Sequence, residues 1–397
     1  MQGIKPGTYS IYSWTYYRKW LNEQINSLSL VVIFPFFASV YVSQMFRWLE
    51  AKIGSRTEIS TASNVTHSML TIGDESFIAD AVSLGESEVR NGQLILQTTH
   101  IGSRSFVGNS ALIPQGYVLP DDMLIGVLST PPTVEQLQTS NAKDWFGSPA
   151  IALPNRQSSG DYPASLTTHP SNIRFVGRSI IEALRIILPQ TIVIVLSVLL
   201  VSLLHDIIVD VQPWAIIWKL PFYYLGVVGL PLFALVCVLK WTLIGRYSKT
   251  QYPMWTWSVW ISEAVTSYYN ALCVPFLLNF MQGTALLPLF LRLLGVKIGK
   301  RVYLDSTDIT EFDMVTIGDE TELNHMSGPQ THLFEDRVMK IGPVVIGKQC
   351  YIGSRSIVLY DAVLGDNVHI DSLSLAMKGE QLAPNTSWTG SPVQPVT

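Results

Sequence analysis

Two histidines, two carboxylates and an arginine fall within one short stretch, Asn324-His325-Met326-Ser327-Gly328-Pro329-Gln330-Thr331-His332-Leu333-Phe334-Glu335-Asp336-Arg337. An imidazole can take a proton from an amine or hydroxyl near neutral pH, and a nearby carboxylate can fix its ring and tautomer. His332 and Asp336 are four residues apart, a spacing that lets them meet on a helical turn or in a compact loop. His332 is therefore the candidate general base, Asp336 its candidate orienter and His325 a second catalytic candidate. Asn324, Glu335 and Arg337 are candidate substrate contacts. A structural reading competes with this one, because a loop leaving a rigid scaffold needs hydrogen bonds that His, Asp and Arg also supply. No phosphate-binding glycine loop, dinucleotide fingerprint, nucleophile elbow or cluster of metal ligands stands out.

The scaffold is written in a ladder of aliphatic residues every six positions. After the charged stretch it runs Ile346, Ile352, Val358, Leu364, Ile370, with small residues four places on at Ser356, Ala362 and Ser374. An earlier ladder runs Ile53, Ile59, Val65, then Ile72, Ile78, Leu84, then Ile101, Val107, Ile113, Leu119, Ile125. A period of six matches neither a helix face nor strand alternation. It matches a parallel β-helix, in which each hexapeptide supplies one flat side and a corner, and the aliphatic residue points inward. The break between Leu323 and Ile341 places the charged stretch in a loop extruded from the second ladder.

The ladders belong to a duplication. Residues 51–54 (AKIG) match 296–299 (VKIG), residues 70–75 (LTIGDE) match 315–320 (VTIGDE), and Trp145-Phe146-Gly147-Ser148-Pro149 matches Trp388-Thr389-Gly390-Ser391-Pro392. Upstream, the aromatic run 9–20 echoes 252–260. The first copy shows no His-x-x-x-Asp and is expected to lack the extruded loop, which makes the second copy the catalytic candidate. The two Trp-x-Gly-Ser-Pro segments are expected to close the open prism ends.

Between the copies, residues 186–204 and 220–239 are almost wholly apolar, each near the ~20 residues that cross a hydrocarbon core. Arg174, Arg178 and Arg185 precede the first, Lys240, Arg246 and Lys249 follow the second, and the connection carries Asp206 and Asp210. The positive-inside rule then places both ends of this hairpin, and both β-helices, on the cytoplasmic side. Residues 28–45 and 271–294 are apolar but interrupted by Pro, Gln or Gly; they read as interfacial or re-entrant segments, with full spans as the alternative. The expected organisation is an aromatic interfacial segment (1–50), a first hexapeptide domain (51–150), a transmembrane hairpin (172–245), a second interfacial segment (246–295) and a second hexapeptide domain (296–397). A net charge of −4 without a basic run argues against nucleic acid as a partner. Three scattered cysteines make neither a disulfide framework nor a zinc site.

The ladders resemble those of hexapeptide-repeat acyltransferases, whose parallel β-helix is left-handed, so the implied fold class is mainly β with two tandem left-handed β-helix domains separated by a transmembrane α-helical hairpin. More closely, the chain resembles the C-terminal membrane region of nonribosomal peptide synthetase-like proteins of the ε-poly-L-lysine synthetase type. The strings that carry this are RSIIEALRIILP (178–189), FVGNSA (106–111), LIGVLSTP (124–131), THLFEDRVMK (331–340), VLYD (358–361), LSLAMKGE (373–380) and WTGSP (388–392). The resemblance implies acyl transfer from a CoA- or phosphopantetheine-borne thioester to an amine, with His332 as base, Asp336 orienting it and backbone amides stabilising the oxyanion. No cofactor is expected to be held permanently. The family pattern departs here in showing two tandem soluble domains rather than three, and no adenylation domain or carrier serine motif. The resemblance therefore implies an adenylation or carrier partner that supplies the acyl group. Hexapeptide enzymes commonly build sites between prisms, which implies an internal interface or a homo-oligomer. The alternative is a non-catalytic membrane scaffold for a synthetase partner.

Overall fold

The computed structural model describes residues 4–153, 162–210, 215–335 and 337–396. It divides into two compact units: Met1–Glu182 with Glu335–Arg337, and Ala183–Phe334 with Val338–Thr397.

In the first unit, successive short strands visit three sheets in turn. Lys52–Ile53, Glu58–Ile59 and Ala62–Ser63 start the three sides; Leu70–Ile72, Phe77–Ile78 and Val82–Glu86 lie parallel on them in the next coil. The register puts rung on rung, Ile53 against Ile72 against Ile101 against Leu119, and Ile59 against Ile78 against Val107 against Ile125. The second unit repeats this: Ile298, Ile317, Ile346, Leu364 and Leu382 align on one side, and Leu304, Leu323, Ile352 and Ile370 on another. These rungs are the cores of their units, most of them fully buried. The fold is thus a mainly-β, three-sided parallel coil of hexapeptide repeats, as the six-residue period predicts.

The corners explain the rest of the repeat. Non-glycine residues with left-handed φ recur at one corner, at Arg56, Glu75, Arg104 and Asp122 in the first unit and at Arg301, Glu320, Gln349, Asn367 and Asn385 in the second. Such backbone is disfavoured for most L-residues. Here the side chains of successive coils bond to each other, as in Arg104–Asp122 at 2.6 Å, Gln349–Glu320 at 2.9 Å and Asn367–Asn385 at 3.0 Å. The glycine after a rung answers a different need, close approach of coils. A Cβ on Gly73 would stand 2.5 Å from the Ser103 nitrogen, and one on Gly318 would stand 2.5 Å from the Gly347 carbonyl carbon.

Each coil is closed at both ends. A short helix precedes each first rung: Val42–Trp48 buries Val42 and Phe46 under the first core, and Leu287–Leu294 buries Leu287, Leu291 and Leu294 under the second. At the other end Trp145 aligns with Ile125 and Trp388 with Ile370, each taking the rung position in the last coil. An antiparallel return strand follows each tryptophan, Ile151–Ala152 and Gln394–Pro395.

Two helices are long and apolar enough to cross a bilayer, by length and composition, among the described residues: Asn172–His205, mean hydropathy 2.6, and Ile217–Ile244, mean hydropathy 2.3. The second contains π-helical turns at Leu225–Gly229 and Lys240–Ile244. Apolar side chains of the first helix are largely exposed, Ile194 at 62% and Val201 at 65%, so it is not the buried core helix of a water-soluble domain. Several of the basic residues that flank the apolar runs have carboxylate partners in their own units. Arg178 pairs with Glu58 and Glu182, Arg185 with Glu263, Lys240 with Asp313 and Lys249 with Asp361. Residues 28–45 and 271–294 are not continuous helices; the first breaks into Trp14–Val32, a 3-10 turn at Phe34–Phe36 and Val42–Trp48. The second breaks into a π-turn at Tyr269–Cys273, a 3-10 turn at Leu278–Met281 and Leu287–Leu294.

Candidate active site

His332 opens the strand His332–Glu335, which leaves the coil after Gly328–Gln330. This strand joins Val338–Ile341 and the upstream strand Thr250–Pro253 in a three-stranded sheet beside the coil. Glu311 comes from the preceding coil, immediately before the 3-10 turn Phe312–Met314. Its backbone is left-handed (φ 41°, ψ 54°), and its carboxylate is fully buried. Oε2 of Glu311 lies 2.7 Å from Nδ1 of His332, and accepts from Thr331 Oγ1 at 2.6 Å and Thr310 Oγ1 at 2.8 Å. Oε1 is buried and takes no hydrogen bond among the described residues.

Burial pushes the Glu311 carboxyl upward, but the His332 ring and the hydroxyl donors outweigh it and hold the group below the usual carboxylate range. An ionised carboxylate can only accept, so Nδ1 of His332 carries the proton facing it, and Nε2 is the ring nitrogen left to exchange a proton with a substrate. That tautomer is the one a general base needs. The dyad is mostly shielded, His332 keeping 15% of its side-chain exposure.

Beside this sheet lies a cavity of about 150 Å³ whose walls include Tyr247, Ser262, Tyr252, Trp257, Arg246 and Ile341. The Tyr247 hydroxyl is 3.2 Å from Ser262 Oγ. Burial, followed by the Glu311 charge, raises the Tyr247 phenol well above its ordinary value, so it stays a neutral hydrogen-bonding group.

The other sequence-derived candidates are placed differently. His325 is 62% exposed, and its Nδ1 faces Asp305 at 3.6 Å. Asn324 donates to the Ile352 carbonyl at 3.0 Å, bonding one coil to the next. Arg337 is buried within the first unit, where it donates to Glu58 at 3.1 Å and to the Arg56 carbonyl at 2.6 Å. Glu58 also accepts from Arg178, so the donors of Arg337 are engaged by protein groups. Glu335 belongs to the same unit and is half-buried. Asp336, the expected orienter, lies outside the described residues. Glu311, 21 positions upstream, is bonded to Nδ1 of His332. Among the described residues no group of three His, Cys, Asp or Glu gathers to hold a metal.

The first copy corrects one expectation, since it does not lack the extruded loop. Strands Glu88–Arg90 and Gln93–Leu96 form a hairpin that pairs antiparallel with Gly7–Ser10, just as Val338–Ile341 pairs with Thr250–Pro253. What the first copy lacks is the chemistry. With Ile72 aligned on Ile317, Thr66 stands where the second copy has Glu311, and Ser87 where it has His332. Ser87 accepts from the buried Lys19, which also pairs with Glu23. His67, which follows Thr66, is packed edge-on against Phe46 at 4.7 Å, and burial holds its imidazole down to about 4.

No family model matches the chain. Over 394 residues it is 48% identical to a delta-poly-L-ornithine synthetase of Acinetobacter baumannii. The match covers 99% of this chain and 29% of that protein, so the chain spans under a third of its relative's length. Among solved structures it is similar to a hexapeptide-repeat acetyltransferase from Vibrio cholerae, at 18% identity over 26% of this chain and 62% of that one, with a TM-score of 0.22. It is also similar to a mutant of AntD, an N-acyltransferase from Bacillus cereus, in complex with dTDP and coenzyme A. That match has 11% identity over 89% of this chain and 87% of that one, with a TM-score of 0.19. At such scores the fold rests on the strand pairing within the chain itself.

Proposed function

We propose that this chain is a membrane-bound acyltransferase that forms an amide bond from an acyl thioester and an amine, with Nε2 of His332 as general base and Glu311 as its orienting carboxylate. The observation that carries the reading is the buried 2.7 Å contact between Nδ1 of His332 and Glu311, with two threonine hydroxyls completing the carboxylate. In the reaction the amine nitrogen attacks the thioester carbonyl, and Nε2 takes the amine proton. The carbon–sulfur bond then breaks, and the imidazolium returns the proton to the departing thiolate. The imidazolium that forms in between lies against the Glu311 charge, where it is stabilised. The synthetase relative, a maker of a poly-amino acid by its name, supports amide formation as the reaction class.

The donor is acyl-CoA or a phosphopantetheine-borne acyl group handed over by an adenylation or carrier protein. The β-helices are left-handed, arranged as two tandem domains flanking a transmembrane hairpin, and face the cytoplasm. Support for that orientation comes from Arg174, Arg246 and Lys249, which flank the apolar helices.

The test is mass spectrometry of membranes containing the full chain, wild type or His332→Ala, supplied with acyl-CoA or acyl-pantetheine donors and a pool of amines. A conjugate made by the wild type alone is the expected result. Equal product from His332→Ala refutes the role of His332. No product from either, with the protein folded, favours a scaffold for a synthetase partner, to be sought by pull-down.

A further inference from the structure

The loop that presents Glu311 is held from the apolar helix. Lys240 sits in the last turn of the helix Ile217–Ile244 and is wholly buried. Its ammonium lies 2.8 Å from Oδ2 of Asp313 and 3.3 Å from the centre of the Trp241 ring. The same oxygen of Asp313 accepts from the Tyr247 backbone nitrogen at 3.2 Å. Asp313 is two residues beyond Glu311, within the 3-10 turn that Glu311 begins. The pocket for the pair depends on Gly295, whose φ is +117°. A Cβ there would stand 2.4 Å from Oδ1 of Asp313 and 3.2 Å from the Lys240 ammonium.

The first unit supplies an internal comparison. Its equivalent 3-10 turn, His67–Met69, has Ser68 in place of Asp313 and Glu50 in place of Gly295. The residue before that turn, Thr66, is relaxed at φ −98°, whereas Glu311 is left-handed at φ 41°. Left-handed backbone is disfavoured for a non-glycine residue, so contacts that fix the turn bear on whether Glu311 keeps it. The carboxylate-bearing copy is the one with the ion pair.

We infer that the Lys240–Asp313 pair is a positioning device that holds Glu311 in the left-handed conformation from which its carboxylate reaches His332. This inference rests on the proposed role of the dyad, but its first readout does not. Lys240 and Asp313 touch no reacting atom; they act through Glu311. The last turn of the apolar helix therefore participates in the site, and dyad geometry depends on that helix being seated.

The test uses the full chain in lipid nanodiscs and three variants: Lys240→Met, Asp313→Asn and the double variant Lys240→Met/Asp313→Leu. The double variant replaces both charges by apolar groups of similar size, a change that buried ion pairs often tolerate without loss of stability. In histidine-labelled protein, the Nδ1–H resonance of His332, assigned by its loss in His332→Gln, reports the bond to Glu311 without any turnover. The expected result is loss or a large upfield shift of that resonance in the double variant, with the wild-type melting temperature retained. The amide-forming rate should fall about 10- to 100-fold at nearly constant KM, as expected for about 1.4–2.7 kcal/mol of lost transition-state stabilisation. A double variant with an unmoved resonance overturns the inference. A displaced resonance with an unchanged rate leaves the positioning intact and refutes the catalytic role of the dyad.

Discussion

Replacing Glu311 by Gln keeps the shape of the side chain and removes its charge. Oε2 of Glu311 receives His332 and two threonine hydroxyls, while Oε1 has no hydrogen-bond partner among the described residues. In one orientation the amide oxygen takes the Oε2 place, the three donors are kept, and a buried NH₂ is left unpaired at a cost of about 1–3 kcal/mol. In the other, the NH₂ faces two hydroxyls and donates to Nδ1, which moves the imidazole proton to Nε2 and removes the base. The first orientation should prevail, so the variant folds and keeps the correct tautomer. It then loses the interaction between the carboxylate and the imidazolium that forms during the reaction. For unit charges whose centres are roughly 4 Å apart, at an effective dielectric of about 20, that interaction is about 4 kcal/mol. A general base must start the proposed cycle neutral, so the loss falls on the transition state. The amide-forming rate should drop about 10²- to 10³-fold with little change in KM. The assay is thiol release from the acyl thioester in the presence of amine, with the conjugate confirmed by mass and the melting temperature measured in parallel. A Glu311→Gln enzyme within threefold of wild type would show that no imidazolium develops beside this carboxylate.

His67 gives the first unit an acid-sensitive point. Its imidazole is held down to about 4, below the ordinary value of about 6.5, so between those values the unfolded chain binds a proton that the folded chain refuses. The contribution is fully present above about pH 6.5 and is lost as pH falls toward 4, reaching about 3 kcal/mol there; the stability difference between pH 7 and pH 4 should shrink by that amount in His67→Leu. In the second coil, Ile352→Ala removes a fully buried rung and should destabilise it by about 2–5 kcal/mol in denaturant unfolding, with exposed Leu373→Ala nearly neutral as the control.

How much of this was legible in the sequence follows from range. The coil was readable because its period is local: each rung is six residues from the next and each buried face repeats the same requirement. The hairpin Glu88–Leu96 was harder to read although Asn91-Gly92 marks its turn, because its strands lie between two rungs and carry Glu88 and Arg90 but no histidine. His332 stood out by residue type. Glu311 did not, because it meets His332 only once the coil has wound back on itself, 21 positions later. A signal was nonetheless present in the duplication: aligning Ile72 with Ile317 sets Glu311 against Thr66, an acid found in one copy only, just before a turn that both copies share. Arg337 misled in the opposite way, since a buried structural ion pair uses the same residue types as a binding site.

The return strands after Trp145 and Trp388 have a consequence for solubility. A parallel coil presents, on its last turn, a row of unpaired amide and carbonyl groups that invites another chain to add on. Ile151–Ala152 and Gln394–Pro395 run antiparallel across one side of those rows, and Pro395 adds a residue with no amide hydrogen to offer. At the opposite ends, helices Val42–Trp48 and Leu287–Leu294 cover the first turns. Each coil is thereby a finite object, its capacity for end-to-end polymerisation blunted by two short return strands and two short helices.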